Sequence, residues 1–260
     1  MGIDRSRRVT FEETADLYNE TRTLYPDALI EDVIRLSTLP ADGRILEIGC
    51  GAGNATVSFA KRGYHLLGIE LGERLAEYAR QNCKYPNTII VHAEFESYDL
   101  PPRSFDLAVS GDAFHWIRPE VGYPKVQAAL KENGSFAFFW QISIDPQTDW
   151  SRSVDEIFQR LAPQYDRPNQ PMDVERIRNI ITGNFREYCG IEDVTVKTFD
   201  WIETLSADAY AKLLRTYSGF RGMNESLRES LNKEIYAAIQ NAGGRIQQPY
   251  RAILFHANNT

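Results

Sequence analysis

Between an apolar run and a helix-forming stretch the chain reads Glu47-Ile48-Gly49-Cys50-Gly51-Ala52-Gly53-Asn54. Three alternating glycines exceed what a tight turn needs. They let the backbone take turn dihedrals and approach a ligand closely. The spacing narrows the ligand. A GxGxxG dinucleotide fingerprint would place its third glycine where Asn54 stands. Glu47 adds a carboxylate just before the first glycine, which repels a pyrophosphate and attracts an ammonium group. The turn therefore reads as a site for a nucleoside with a cationic tail. Glu70 closes the next apolar run, where a carboxylate can accept both hydroxyls of a ribose.

The elements that must hold these residues follow from periodicity. Arg44–Ile48 is a continuous apolar strand, and Thr56–Arg62 a helix closed by Gly63. His65–Glu70 is a strand, Glu73–Asn82 a helix and Thr88–Val91 a strand. Phe105–Val109, Val121–Leu130 and Gly134–Trp140 read as strand, helix and strand. Buried, non-alternating strands separated by helices predict a parallel sheet covered on both faces. The second half breaks that rhythm. Val154, Ile157, Phe158 and Leu161 mark one amphipathic helix, Tyr210, Leu213, Leu214 and Tyr217 a second, and Leu227, Leu231, Ile235 and Ile239 a third. Val194–Trp201 and Tyr250–His256 are the remaining strands, expected to finish the sheet as an antiparallel pair. Ahead of the first strand, Pro26–Leu36 is an amphipathic helix with Leu29, Ile30, Val33 and Ile34 inward.

Together these motifs resemble the class I S-adenosylmethionine-dependent methyltransferases. Glu47-x-Gly-x-Gly-x-Gly followed by Glu70 resembles the cofactor motif; His92-Ala-Glu94-Phe95-Glu96, Pro101 and Ser104-Phe-Asp106-Leu resemble the acidic loop and fourth strand. Phe11–Pro26, with Tyr18, Arg22 and Tyr25-Pro26, resembles the lid over the cofactor. Ser110-Gly-Asp112-Ala-Phe-His115-Trp116, Leu214-Arg-Thr-Tyr217-Ser218 and the Gly243-Gly244…Pro249-Tyr250 ending resemble the branch containing trans-aconitate methyltransferase. The resemblance implies an α/β, doubly wound, Rossmann-like seven-stranded sheet, mostly parallel with an antiparallel C-terminal strand. Residues 1–260 would be one domain, with 1–36 as lid and first helix. About 145–190 and 205–245 would be helical insertions over one edge of the sheet, forming a substrate cap. It implies S-adenosyl-L-methionine as cofactor, with S-adenosyl-L-homocysteine as product, and no metal. Its binding residues would be Tyr18, Arg22, Glu47, Gly49, Cys50, Gly51, Gly53, Asn54, Glu70, Leu71, Glu94, Phe95 and Ser110, with Glu94 on the adenine amino group and Glu70 on the ribose.

The activated methyl of a sulfonium needs a nucleophile aligned behind it, and a base only if that nucleophile arrives protonated. His115 follows the fourth strand, at the edge where open α/β sheets bind ligands. Its imidazole suits a proton acceptor near neutral pH. Contact with substrate or cofactor, or a structural role, stays open beside the base role. Trp116, Trp140, Tyr217 and Arg221 are the other candidate substrate residues, and an arginine could pair with a substrate carboxylate. Ordinary helix-to-sheet packing explains the aromatics equally well. Asp112 reads as a cap or a polar pocket residue.

Composition bounds the rest. The chain has 260 residues, 43% hydrophobic and 25% charged, enough to bury a large core without staples. No apolar run is long enough to span a bilayer, and the charged N-terminus lacks a signal-peptide core, so a cytoplasmic protein with no membrane partner is expected. Three dispersed cysteines argue against a disulfide framework or a zinc cluster. The net charge of −7 argues against tracking a nucleic-acid backbone, and the Arg5–Arg8 cluster reads as a solvated arm. A small-molecule acceptor is expected. The alternatives are a nucleic-acid or protein methyltransferase, a non-catalytic cofactor-binding protein, and a nicotinamide-dependent oxidoreductase.

Overall fold

A computed structural model describes residues 14–22, 24–168, 170 and 172–259. Phe11 of the expected lid and the Arg5–Arg8 arm lie outside them. The helices are α1 (Ala15–Thr21), α2 (Asp27–Leu36), α3 (Thr56–Ala60), α4 (Glu73–Asn82), α5 (Pro119–Ala129), α6 (Asp149–Leu161), α7 (Val174–Cys189), α8 (Ala207–Leu214), α9 (Ser218–Arg221) and α10 (Glu225–Asn241). The strands are β1 (Arg44–Ile48), β2 (His65–Glu70), β3 (Thr88–His92), β4 (Phe105–Gly111), β5 (Leu130–Ser143), β6 (Thr195–Ser206) and β7 (Arg245–Asn258).

The seven strands form one sheet in the order β3-β2-β1-β4-β5-β7-β6. Pairing is parallel from β3 to β5, and β7 runs antiparallel to both β5 and β6. The expected sheet is thus present, with β7 as its antiparallel member. The order reverses direction at β1 and β4. This is the switch point whose strand ends open a crevice for ligands.

Each face of the sheet carries its own helices. On one face Leu29, Ile30 and Val33 of α2 and Phe59 of α3 pack on Ile45, Leu107, Val109 and Phe139. On the other, Tyr123 and Val126 of α5 meet Phe136 and Phe138, with Phe185 of α7 closing the cluster. The Tyr123 and Phe136 rings lie 5.0 and 5.3 Å from Phe185. This differs from the expectation for residues 145–190. α7 is no part of a cap: Ile181 and Phe185 find the aromatic sheet face, and the helix bridges β5 and β6 as an ordinary sheet cover. Asp173 accepts from the Arg176 N–H at its start, and Gly190, at φ +71°, ends it.

The other helices expected as a cap, α6, α8 and α10, gather in a cluster of their own. Trp150, Val154 and Phe158 pack with Tyr210, Leu214, Leu231, Ile235 and Ile239 in a separate small core. Asn224 caps α10 by accepting from the Leu227 N–H at 2.9 Å. The strands β5, β6 and β7 are longer than expected. β6 and β7 pair continuously from Thr195↔His256 to Ser206↔Arg245, because an antiparallel ladder persists where the sheet extends beneath the cap.

Candidate active site

The first cleft opens at the carboxyl ends of β1, β2 and β4, with a volume of about 700 Å³, its open mouth included. Gly49 turns the chain there at φ +68°, and a Cβ on it would lie 2.3 Å from that of Ala113. No side chain is tolerated at that crossing. Gly51 faces the Tyr18 ring of α1, which a Cβ would meet at 3.5 Å. Glu70 closes the turn from below. Its Oε2 accepts the Gly51 N–H and its Oε1 the Gly72 N–H, each at 2.8 Å. A carboxylate oxygen has a second lone pair, so Glu70 keeps capacity for hydroxyl donors. Leu71, Glu94 and Phe95 line the same cleft.

Other expected cofactor residues are placed differently. Glu47 is 2% exposed and lies under the turn, where the Thr56 hydroxyl donates to its Oε2 at 2.7 Å. Burial, with Glu70 nearby, pushes its carboxyl up to about 8. It is therefore no exposed negative charge for a ligand's ammonium group, and it does not line the cleft. The Cys50 side chain packs against Gly68, and a Cβ on Gly53 would meet Ala79 of α4 at 3.4 Å. Asn54 donates to the Arg22 carbonyl at 2.9 Å, tying α1 to the turn. Ser110 is fully buried and donates to the Ile48 carbonyl at 2.7 Å, across β4 and β1. These side chains shape the turn and do not form the cleft wall. The spacing alone cannot say which side of a turn a side chain takes. Leu75 and Ile117, which do line the cleft, were not anticipated. The only signal for Leu75 is its place in the first turn of the helix after Gly72.

A second cavity, of about 900 Å³ with its mouth included, adjoins the first. Tyr18, Asp112 and Trp116 belong to both walls. The Arg22 guanidinium lies 5.4 Å from the Tyr18 ring and 5.0 Å from that of Tyr217. Asp112, at φ +54°, has both oxygens engaged: Oδ2 accepts from the Tyr25 hydroxyl at 2.8 Å and Oδ1 from the Gln141 N–H at 2.7 Å. His115 lines the cavity, and its Nδ1 accepts the Trp140 indole N–H at 2.8 Å. Burial pushes His115 down to about 4. That arrangement is unfavourable for the expected base role, since burial makes the imidazole a weak proton acceptor and its Nδ1 lone pair is in use. Trp116 and Tyr217 stand in the wall, whereas Trp140 sits behind His115 and Arg221 lines neither space. Arg22, expected at the cofactor, faces the second cavity.

Comparison with known proteins agrees with the layout. A methyltransferase-domain model matches residues 46–138. A methyltransferase of unassigned substrate from Geobacillus sp. (strain WCH70) is 30% identical over 159 residues, which is 58% of this chain and 74% of the relative. A similar protein of Mycobacterium tuberculosis (strain ATCC 25618 / H37Rv) is 26% identical over 64% of this chain, and the match spans 66% of that relative's length. A provisionally assigned type II methyltransferase structure from Anaeromyxobacter dehalogenans superposes with a TM-score of 0.64 at 21% identity, over 92% of this chain and 98% of its own. The seven-stranded sheet shares its fold with that structure, and the chain belongs to the methyltransferase-domain family.

Proposed function

We propose that this chain transfers the methyl group of S-adenosylmethionine to a small-molecule acceptor held in the second cavity. One observation carries the reading: two cavities of different lining meet at a wall made of Tyr18, Asp112 and Trp116. The residues of the first cleft fit the cofactor. Glu70 would take the ribose hydroxyls, Glu94 the adenine amino group, and Leu71 and Phe95 the faces of the base. The Gly49–Gly51 backbone and Tyr18 would enclose the amino-acid tail. The bound cofactor supplies a methyl carbon on a positively charged sulfur, whose bond breaks with its electrons left on that sulfur. The protein's task is alignment across the shared wall, which is worth at most about 7–11 kcal/mol.

The acceptor's size class rests on the lining: Tyr18 and Arg22 of the α1 segment, Gln141, Tyr217 and Tyr250 surround the second cavity from separate elements. A net charge of −7 is ill suited to a nucleic-acid partner. The resemblance of Ser110–Trp116 to the trans-aconitate branch supports the same choice. Localisation in the cytoplasm fits such a role.

The test is a metabolite screen on the purified chain that reads out S-adenosylhomocysteine, run beside calorimetry with that product. Turnover with a low-molecular-weight acceptor supports the proposal. Product binding together with turnover only on RNA or peptide would replace the acceptor class, and absence of product binding would overturn the reading.

A further inference from the structure

We propose that Trp140 is a positioning residue that holds His115 as its Nε2–H tautomer, so that His115 meets the acceptor as a hydrogen-bond donor and not as a base. The argument is one of valence. An indole N–H can only donate. At 2.8 Å from it, His115 Nδ1 must therefore offer a lone pair. A neutral imidazole with a bare Nδ1 carries its proton on Nε2. Trp140 lines neither cavity, whereas His115 lines the second, so Nε2–H is the nitrogen left for the chamber.

Taking up a proton would put N–H against N–H and break the bond to Trp140. The groups around the chamber give no help to a cation. They are Tyr18, Arg22, Asp112, Tyr217 and Tyr250. Arg22 is already positive. Asp112, the one carboxylate among the described residues of that wall, has its oxygens on Tyr25 and on the Gln141 N–H. Burial of the imidazole acts in the same direction. This rests on the proposed methyl transfer and narrows it: the acceptor belongs to the nucleophiles whose reacting atom is already unprotonated at neutral pH.

The experiment is long-range 1H–15N NMR of the uniformly labelled full chain without cofactor, with His115 assigned from the spectrum of His115→Gln. Wild type should show a protonated Nε2, a bare Nδ1 and no titration of His115 between about pH 6 and 8, the range of an ordinary imidazole. Trp140→Phe removes a bond that favours the neutral ring. It should let the second tautomer appear and move the titration upward. A protonated Nδ1 in wild type, or an ordinary imidazole titration, would overturn the proposal even if the variant does not fold. An unchanged tautomer in a folded Trp140→Phe would reduce Trp140 to packing. No methyl donor enters this measurement, so its failure is distinct from failure of the methyltransferase reading.

Discussion

Glu70 is the residue on which most of the first cleft hangs. It accepts from Gly51 and Gly72 and still faces the ligand space. Glu70→Ala removes two charge-assisted bonds as well as the ribose contact. Each such bond is worth about 1.5–3 kcal/mol, so calorimetry should find S-adenosylhomocysteine affinity reduced by at least tenfold. Unchanged affinity in a folded variant would refute the assignment. Glu47 makes a different kind of prediction. Its carboxyl titrates at about 8 in the folded chain against an ordinary 4.5, so the unfolded chain loses that proton first as pH rises. Folding is therefore penalised progressively from about pH 4.5 to 8, by up to about 1.4 kcal/mol per pH unit, and the penalty is absent below that window. Glu47→Gln should gain stability over wild type steadily across that range in urea melts, and a constant difference would contradict it. The glycine turn and Glu70 were readable from residue type and spacing. The placements of Glu47, Ser110 and Cys50 were not, because they depend on which side chains the neighbouring strand and helix present. The state of His115 depends on Trp140, which no local pattern connects to it.

At the scale of elements, α1 is the piece that decides access. It bridges α4 and α8: Asp16 accepts from Arg74 and Tyr78, Asn19 meets Asn82 at 2.7 Å, and Glu20 pairs with Lys212 at 2.7 Å. These contacts are solvent-exposed, and exposed pairs contribute little. The strap should therefore open readily and tighten when a ligand packs against Tyr18. Hydrogen exchange over residues 15–21 is expected to slow on addition of S-adenosylhomocysteine, and Asp16→Ala to exchange faster than wild type without it. Equal exchange with and without product would deny α1 a lid role. Helices with a clear apolar stripe, such as α2, α6 and α10, were legible in the sequence. α7 carries a stripe too, but its destination on the Phe136 and Phe138 face is set by the sheet and not by its own residues.

For the whole molecule, the division into a sheet core and a cap core has a thermodynamic consequence. Leu231 is fully buried in the cap, among α6, α8 and α10 side chains. Leu231→Ala should cost about 2–5 kcal/mol in denaturant unfolding while leaving product affinity of the folded chain near wild type. A large loss of affinity would mean that the cap core supports the donor cleft as well. The alternation of strands and helices made the sheet legible at this scale. The meeting of the two cavities was not, since Tyr18, Asp112 and Trp116 come from distant stretches and converge only in the fold. That meeting is the centre of the account, and a crystal structure of the full chain with S-adenosylhomocysteine tests it most directly. The sulfur is expected beside Tyr18, Asp112 and Trp116, facing the chamber that His115 lines. A sulfur turned away from that wall, or a ligand held outside the Gly49–Glu70 cleft, would contradict it.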